Sequence, residues 1–281
     1  MKNEVSACRL GITANSPVDG VVVIDTETTG LEPGKDEVLS IAIVDLDGNE
    51  LFCSLIRPLE RKRWPKATET HGITWKDVKD KPTIYDVGNE VSDILENASL
   101  IVGYNVNFDM DMLTENGLPN VNTNRYDLME EFAQAYGKWS DRKCGYLWCK
   151  LEQCARHFGY EFTAHNALED AKATAYCYKM FRDECARAIP EAEKRDQKKR
   201  QIEEQFKISR TESHSRSCSR ISTKKEACRQ SSVHRRYPGQ YRSVPEFMLD
   251  RKRRYSRVVS SNDRFNDSVF YRILWIVHLS K

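Results

Sequence analysis

Asp25 and Glu27 stand two residues apart where the apolar run VVVI (residues 21–24) ends. Side chains alternate along a strand, so both carboxylates project from one face. Two acids that close repel each other unless a cation lies between them. Cation binding is therefore the first chemistry on offer; the alternative is a strand that ends in polar residues beside the turn Thr28-Thr29-Gly30. A third acid closes the segment Asn105-Val106-Asn107-Phe108-Asp109, just past a second apolar run at residues 100–102. Catalytic groups gather at the ends of central strands, while Asn105 and Asp109 would equally serve to cap the helix that follows. The last element is His165-Asn166-Ala167-Leu168-Glu169-Asp170. Five residues turn about 140° on a helix, so His165 fits better on the loop before the helix, with Asp170 in its first turn. From there the two address one site, unless His165 is an ordinary surface or capping residue.

These side chains need elements to hold them. Residues 21–24 form an unbroken β-branched run, the pattern of a strand buried on both faces near the middle of a sheet. Residues 38–46 (VLSIAIVDL) and 51–56 (LFCSLI) flank Asp47-Gly48-Asn49, which predicts an antiparallel hairpin. After a loop containing Pro and Arg, the spacing of Ile84, Val87, Val91, Ile94 and Leu95 predicts a helix over residues 84–95. A buried strand at residues 100–102, a helix at 108–115, a weaker strand at 125–128 and helices at 129–136 and 147–158 follow. The longest helix spans residues 167–187, with Ala171, Ala175, Tyr178 and Phe181 on its apolar side. Strands paired antiparallel first and alternating with helices later argue for an α/β domain with a mixed sheet.

The 281 residues leave room for one such domain with something appended. Apolar residues make up 40% and charged residues 31%, and no run of 18 uncharged apolar residues occurs, so neither a membrane-embedded protein nor a membrane partner is expected. Glu4, Arg9, Asn15, Pro17 and Asp19 interrupt the start of the chain, which does not read as a secretory signal. Nine cysteines without a regular framework suit a reducing compartment, the cytoplasm. The net charge of +2 conceals an asymmetry: residues 186–281 hold 24 Lys and Arg against 11 Asp and Glu, whereas residues 1–185 hold 20 against 31. The expected organisation is an N-terminal extension (residues 1–19), a catalytic-type domain (20–187) and a basic tail (188–281) too polar to stay ordered, with a polyanionic partner.

In combination the motifs are far more specific than singly. Asp-x-Glu ending the first strand, Asn-x-x-Phe-Asp after the fourth, and His-x-Ala-x-x-Asp opening the last helix occur in that order over about 150 residues. Together with Asp25-Thr26-Glu27-Thr28-Thr29-Gly30-Leu31 and His71-Gly72-Ile73-Thr74, they make the chain resemble the DEDDh exonucleases. That superfamily holds the proofreading subunit of bacterial DNA polymerase III, ribonuclease T and oligoribonuclease. The resemblance covers roughly residues 21–182 and not the tail. It implies a ribonuclease H-like mixed sheet flanked by helices, and removal of nucleotides from a 3′ end as 5′-monophosphates. It implies DNA, at single-stranded ends, before RNA. The partners it implies are a nucleic acid with a free 3′ end and either a DNA polymerase or a second copy of the chain. A non-catalytic nucleic-acid or polymerase-binding module that keeps the fold is the reading from another class.

On that resemblance Asp25, Glu27, Asp109 and Asp170 become metal ligands. Four acidic oxygen donors without Cys or His suit two hard divalent cations, Mg²⁺ or Mn²⁺, rather than zinc. Asp25 is the expected bridging ligand, and His165 the base that accepts a proton from the attacking water. Thr28, Leu31, His71, Asn105 and Phe108 would line the pocket for the terminal nucleotide, although Leu31 and Phe108 suit plain core packing as well. Tyr104 joins this pocket where relatives often carry His, its ring expected to change the grip on the 3′ nucleotide. The spacing of Cys144, Cys149, Cys154 and His157 fits no common zinc finger. Arg251-Lys252-Arg253-Arg254 reads as a solvated charge cluster, and the apolar stretch at residues 269–279 has no assigned role.

Overall fold

The computed structural model describes residues 1–230, with side chains as far as Ser209. A short helix, α1 (Ala7–Ala14), precedes the sheet. β-branched residues pack well on a pleated strand, and residues 21–24 accordingly open β1 (Val21–Thr28). This strand runs past its apolar stretch, so Asp25 and Glu27 lie within it and not beyond its end. β2 (Val38–Asp45) and β3 (Glu50–Leu55) form the expected hairpin. Gly48 takes φ 82° at its turn, and the Asp45 carboxylate accepts hydrogen bonds from the N–H groups of Asp47 and Asn49.

The chain continues through α2 (Pro65–His71), α3 (Trp75–Val78), α4 (Ile84–Glu96), β4 (Leu100–Gly103) and α5 (Val106–Glu115). It then forms β5 (Arg125–Asp127), α6 (Leu128–Tyr136), the two-residue strands β6 (Trp139–Ser140) and β7 (Gly145–Tyr146), α7 (Leu151–His157) and α8 (Ala167–Gln230). Five strands make the main sheet in the order β3-β2-β1-β4-β5. β1 pairs antiparallel with β2 and parallel with β4, and β4 pairs parallel with β5, which is the mixed α/β sheet expected.

Alternation along the strands gives the sheet two buried faces. Val21, Val23, Ala42, Val44 and Val102 meet Leu10, Phe132, Ala155, Ala171 and Tyr178 from α1, α6, α7 and α8. Val22, Ile24, Ile41, Ile43 and Ile101 meet Val91, Leu95, Met110 and Leu113 from α4 and α5. A central strand covered on both sides reads as a continuous apolar run, which is why residues 21–24 show no alternation.

Three expectations need correction. The loop before residue 84 contains α2 and α3; Pro65 opens α2, Gly72 at φ 76° closes it, and a Thr74–Asp77 capping box starts α3. The helix expected at 147–158 begins only at Leu151, because residues 139–146 form the small β6/β7 hairpin. Met1–Ile202 forms one compact unit, and of Glu203–Lys281 the described part continues α8. Leu10 is buried in the core, and Thr13 Oγ1 lies 2.9 Å from the Tyr126 hydroxyl. From α8, Asp196 accepts from the Ala7 N–H, Arg195 donates to the Val5 carbonyl, and Ala192 is fully buried. Composition reports charge but not the apolar residues Ala188, Ile189 and Ala192 that dock this part of α8 on the core, and it is helical where low order was expected. The tail features at residues 251–254 and 269–279 lie outside the described residues.

Leu10→Ala is expected to destabilise the domain by about 2–5 kcal/mol, the usual range for a buried leucine. A urea melt compared with wild type checks this; a change under about 0.5 kcal/mol, as for an exposed position, would detach α1 from the core.

Candidate active site

The site forms where β1 outlasts its neighbour. β4 pairs with β1 from Leu100 to Val102 opposite residues 21–23, and ends at Gly103. Open α/β sheets bind ligands beyond the carboxyl ends of their strands, and here the C-terminal half of β1 is uncovered on that side. The Thr26 N–H, which has no β4 partner, donates to Asp109 Oδ1 at 3.0 Å, and Thr26 Oγ1 donates to the same oxygen at 2.7 Å. Asp109 thus reaches β1 from the first turn of α5.

The connection from β4 to α5 is tight. A Cβ on Gly103 would lie 2.9 Å from the Val106 Cβ, and Asn105 takes the left-handed conformation at φ 76°. The Asn105 N–H donates to Asp127 Oδ1, which also accepts from the N–H groups of Met129 and Glu130 at the start of α6. Asn105 makes no side-chain capping bond, so the capping alternative fails for it.

Asp25 and Glu27 share the opposite face of β1, the one covered by α8, as alternation requires. His165 sits at φ 69° on the loop before α8, and its backbone N–H donates to Asp170 Oδ2 at 3.0 Å. Asp170 occupies the first turn of α8 and is buried, and its Oδ1 has no hydrogen-bond partner. One ligand atom each from Glu27, His165 and Asp170 lie within 4.8 Å of one another. Asp25 is held well above the usual carboxylate range by burial, then by the charges of Asp109, Asp170 and Glu27. The charges of Asp109, Asp170 and Glu27 therefore act on Asp25, while the grouping within 4.8 Å holds Glu27, His165 and Asp170 and does not include Asp25 or Asp109.

The same causes act on the others. Burial, followed by Asp170 and Asp109, pushes Glu27 up to about 8. Burial outweighs the two Thr26 hydrogen bonds and raises Asp109 to about 7, and burial raises Asp170 to about 7. Acids desolvated together, one with an orphaned oxygen, fit a divalent cation: a bound positive charge removes the repulsion, and hard oxygen donors suit Mg²⁺ or Mn²⁺.

Without a cation, these groups hold protons in the folded chain at pH values where the unfolded chain, ionising near pH 4, has released them. The stability they contribute is complete below about pH 4 and is lost as pH rises through about 7 to 8. In EDTA the melting temperature is expected to be lower at pH 8 than at pH 6. Mn²⁺ is expected to raise it more at pH 8, because ligands bind metal in their ionised form. Thermal melts at the two pH values, with and without the ion, check both signs.

The expected pocket residues divide. Thr28 is buried and its hydroxyl donates to the Gly30 carbonyl, bracing the turn after β1. His71 Nδ1 accepts from the Ile73 N–H, which leaves the proton on Nε2 to reach the Thr28 carbonyl at 3.2 Å. Burial lowers the His71 pKa, and the nearby His165 lowers it further, so His71 borders the site. Leu31 is half-buried, while Phe108 packs against the α4/α5 core. Tyr104 packs against the core on the other face and spends its hydroxyl on the Cys149 carbonyl at 2.7 Å. Among the described residues, Cys144, Cys149, Cys154 and His157 do not gather as a metal site.

Thr26 and Asp127 escaped the sequence reading. Thr26 faces away from its acidic neighbours on the strand, and only the end of β4 brings Asp109 to it. A signal for Asp127 was available, since an Asp opening an apolar helical run is a common N-cap. Gly30 was legible only as a turn residue; a Cβ there would lie 2.5 Å from the buried Asp36 carboxylate, which pairs with Arg61 at 3.2 Å.

A family model described as Exonuclease matches residues 22–178. The chain is 30% identical over 174 residues to a PolC-type DNA polymerase III of Clostridium perfringens, covering 59% of this chain and 12% of that protein. It is 27% identical over 162 residues to the DNA polymerase III subunit epsilon of Treponema pallidum, covering 56% and 72%. With RNA exonuclease 4 of Debaryomyces hansenii it shares 26% identity over 173 residues, 60% of each chain. A product-bound structure of exonuclease I superposes with a TM-score of 0.50 at 20% identity, over 60% of this chain and 45% of the other, a likeness of fold. The chain spans only 12% and 7% of two of the PolC-type relatives.

Proposed function

We propose that this chain, which belongs to the exonuclease family, hydrolyses the terminal phosphodiester at the 3′ end of DNA and releases 5′-mononucleotides. The observation that carries the reading is the grouping of Glu27, His165 and Asp170 within 4.8 Å, beside a buried Asp25 on which the charges of Glu27, Asp109 and Asp170 act. The four carboxylates would hold two divalent cations, Mg²⁺ or Mn²⁺, which when bound stabilise the charge on the attacking and leaving oxygens.

The chain's own groups have separable tasks. Asp25 feels all three other acids and is the candidate for the shared ligand. Thr26 holds one oxygen of Asp109 and so turns the carboxylate toward the site. His165 takes the proton of the attacking water on an imidazole nitrogen, a role that histidine side chains commonly fill. Its backbone bond to Asp170 ties the base to a ligand of the same site. Burial of the acids excludes water that would otherwise screen these charges.

DNA is favoured because the PolC-type and epsilon relatives are named as parts of DNA polymerase III, and a polymerase is the protein partner this supports. The likeness to RNA exonuclease 4 favours a second reading, a 3′–5′ exoribonuclease built on the same site. Single strands of DNA and RNA, labelled at either end and incubated with Mg²⁺ or EDTA, separate the two. Labelled mononucleotide appearing at once from 3′-labelled DNA only with Mg²⁺ is the expected result. The same release from RNA alone would select the second reading, and no metal-dependent release from either would leave a binding module.

A further inference from the structure

Residues 1–185 are acidic overall, with 20 Lys and Arg against 31 Asp and Glu, yet one cleft in this body has the opposite charge. It holds about 550 Å³ between α6 and α7 and is lined by Lys2, Lys138 and Arg156, and by His157, which faces Glu184 at 3.7 Å. Lys2, Lys138 and Arg156 belong to no ion pair among the described residues. Cations brought together without counter-charges repel, and an anion settling among them relieves that repulsion.

Rings stand beside these cations. Tyr136 lies 4.2 Å from the His157 ring, centroid to centroid, and stacks on Phe132 at 4.7 Å, while half-buried Trp148 has Lys143 Nζ 5.7 Å from its ring centroid. Cations without a carboxylate partner suit the phosphates of an unpaired strand, and membership of the exonuclease family favours that polyanion over an acidic peptide. The cleft is also tied to the candidate active site, since the Cys149 carbonyl in its wall accepts the Tyr104 hydroxyl, and Tyr104 directly precedes Asn105.

We propose that the α6/α7 cleft is a second nucleic-acid contact, holding nucleotides of a single strand away from the end that is cut. The identity of the ligand rests on the exonuclease reading; the charge and aromatic chemistry of the cleft do not. Strand binding in EDTA tests the contact without turnover. The full chain and two variants are titrated onto a fluorescent single strand by anisotropy across a salt series. Lys138→Gln with Arg156→Gln is expected to weaken binding about tenfold and to flatten the slope of log K against log salt by about 1.4, about 0.7 for each lost phosphate contact. The matched variant, Lys79→Gln with Lys81→Gln, removes equal charge from exposed positions elsewhere and is expected to stay within about twofold of wild type. Basic residues after 186 contribute alike to every protein compared. Equal losses in the two variants, or an unchanged slope in the first, would overturn the contact. A protein that shows the expected slopes but releases no nucleotide with Mg²⁺ would sink the exonuclease reading and leave the cleft standing.

Discussion

Asp25→Asn is expected to lower nucleotide release by roughly 10³-fold or more, above the loss usual for removing one neutral stabilising donor. The charges of Asp109, Asp170 and Glu27 all act on Asp25, so its neutral isostere removes a carboxylate that a cation shared with them would need. The same substitution makes a second, opposite prediction for stability. A buried carboxylate held among three others is a repulsive group without a cation, and the amide keeps its shape without its charge. In EDTA at pH 8 the variant is expected to melt at or above the wild-type temperature, while the stabilisation by Mn²⁺ largely disappears. Rate and melting temperature measured together separate a lost ligand from a damaged fold. A variant that melts well below wild type in EDTA, or keeps the full Mn²⁺ shift, would remove Asp25 from the cation site.

His165→Asn is expected to slow release by about 10²–10⁴-fold, the usual worth of a positioned general base, while leaving the Mn²⁺ stabilisation intact. Asn is the informative replacement because His165 occupies φ 69°, a conformation that Asn tolerates better than Ala. The backbone N–H that donates to Asp170 survives the change, so the ligand stays oriented and only the basic nitrogen is lost. Pre-steady-state release and metal-dependent melts are the measurements. Release within about threefold of wild type, set against the general-base range, would assign the proton to another group, and loss of the Mn²⁺ shift would make His165 a ligand and not a base.

The two variants address the site from the central strand and from the loop before α8. One changes a strand residue that the sequence pattern exposes directly. The other changes a loop residue whose place follows from helix geometry: five residues before Asp170 cannot share its face, and the structure puts His165 just outside α8. The expected positions of Asp25, Glu27 and His165 therefore rest on local periodicity, as did the central strand and the β2/β3 hairpin.

Other features depended on distant parts of the chain. Asp109 was legible as an acid at the start of a helix, but both a cap and a site ligand fitted that pattern. Its hydrogen bonds to Thr26 exist because β4 stops at Gly103 while β1 continues, and a strand's length relative to its neighbour is not written in either strand. The packing of the N-terminal segment and of the start of the tail was not legible for a related reason. Their composition is polar, and only the docking of Leu10 and Ala192 onto the sheet face shows that each carries a narrow buried stripe. The α6/α7 cleft is a sharper case, since Lys2, Lys138 and Arg156 come from the N-terminus, the end of α6 and α7, and no window of sequence contains them together.

Residue type and spacing by themselves singled out the candidate acids and histidine and most of the elements that bear them, because alternation and helical period act over a few residues. Tertiary structure alone decided that Thr26 holds Asp109 beyond the end of β4, that Glu27, His165 and Asp170 lie within 4.8 Å of one another, and that Lys2, Lys138 and Arg156 line one cleft. Those meetings depend on where β4 ends and on how α5 and α8 pack, and long-range packing energies set both.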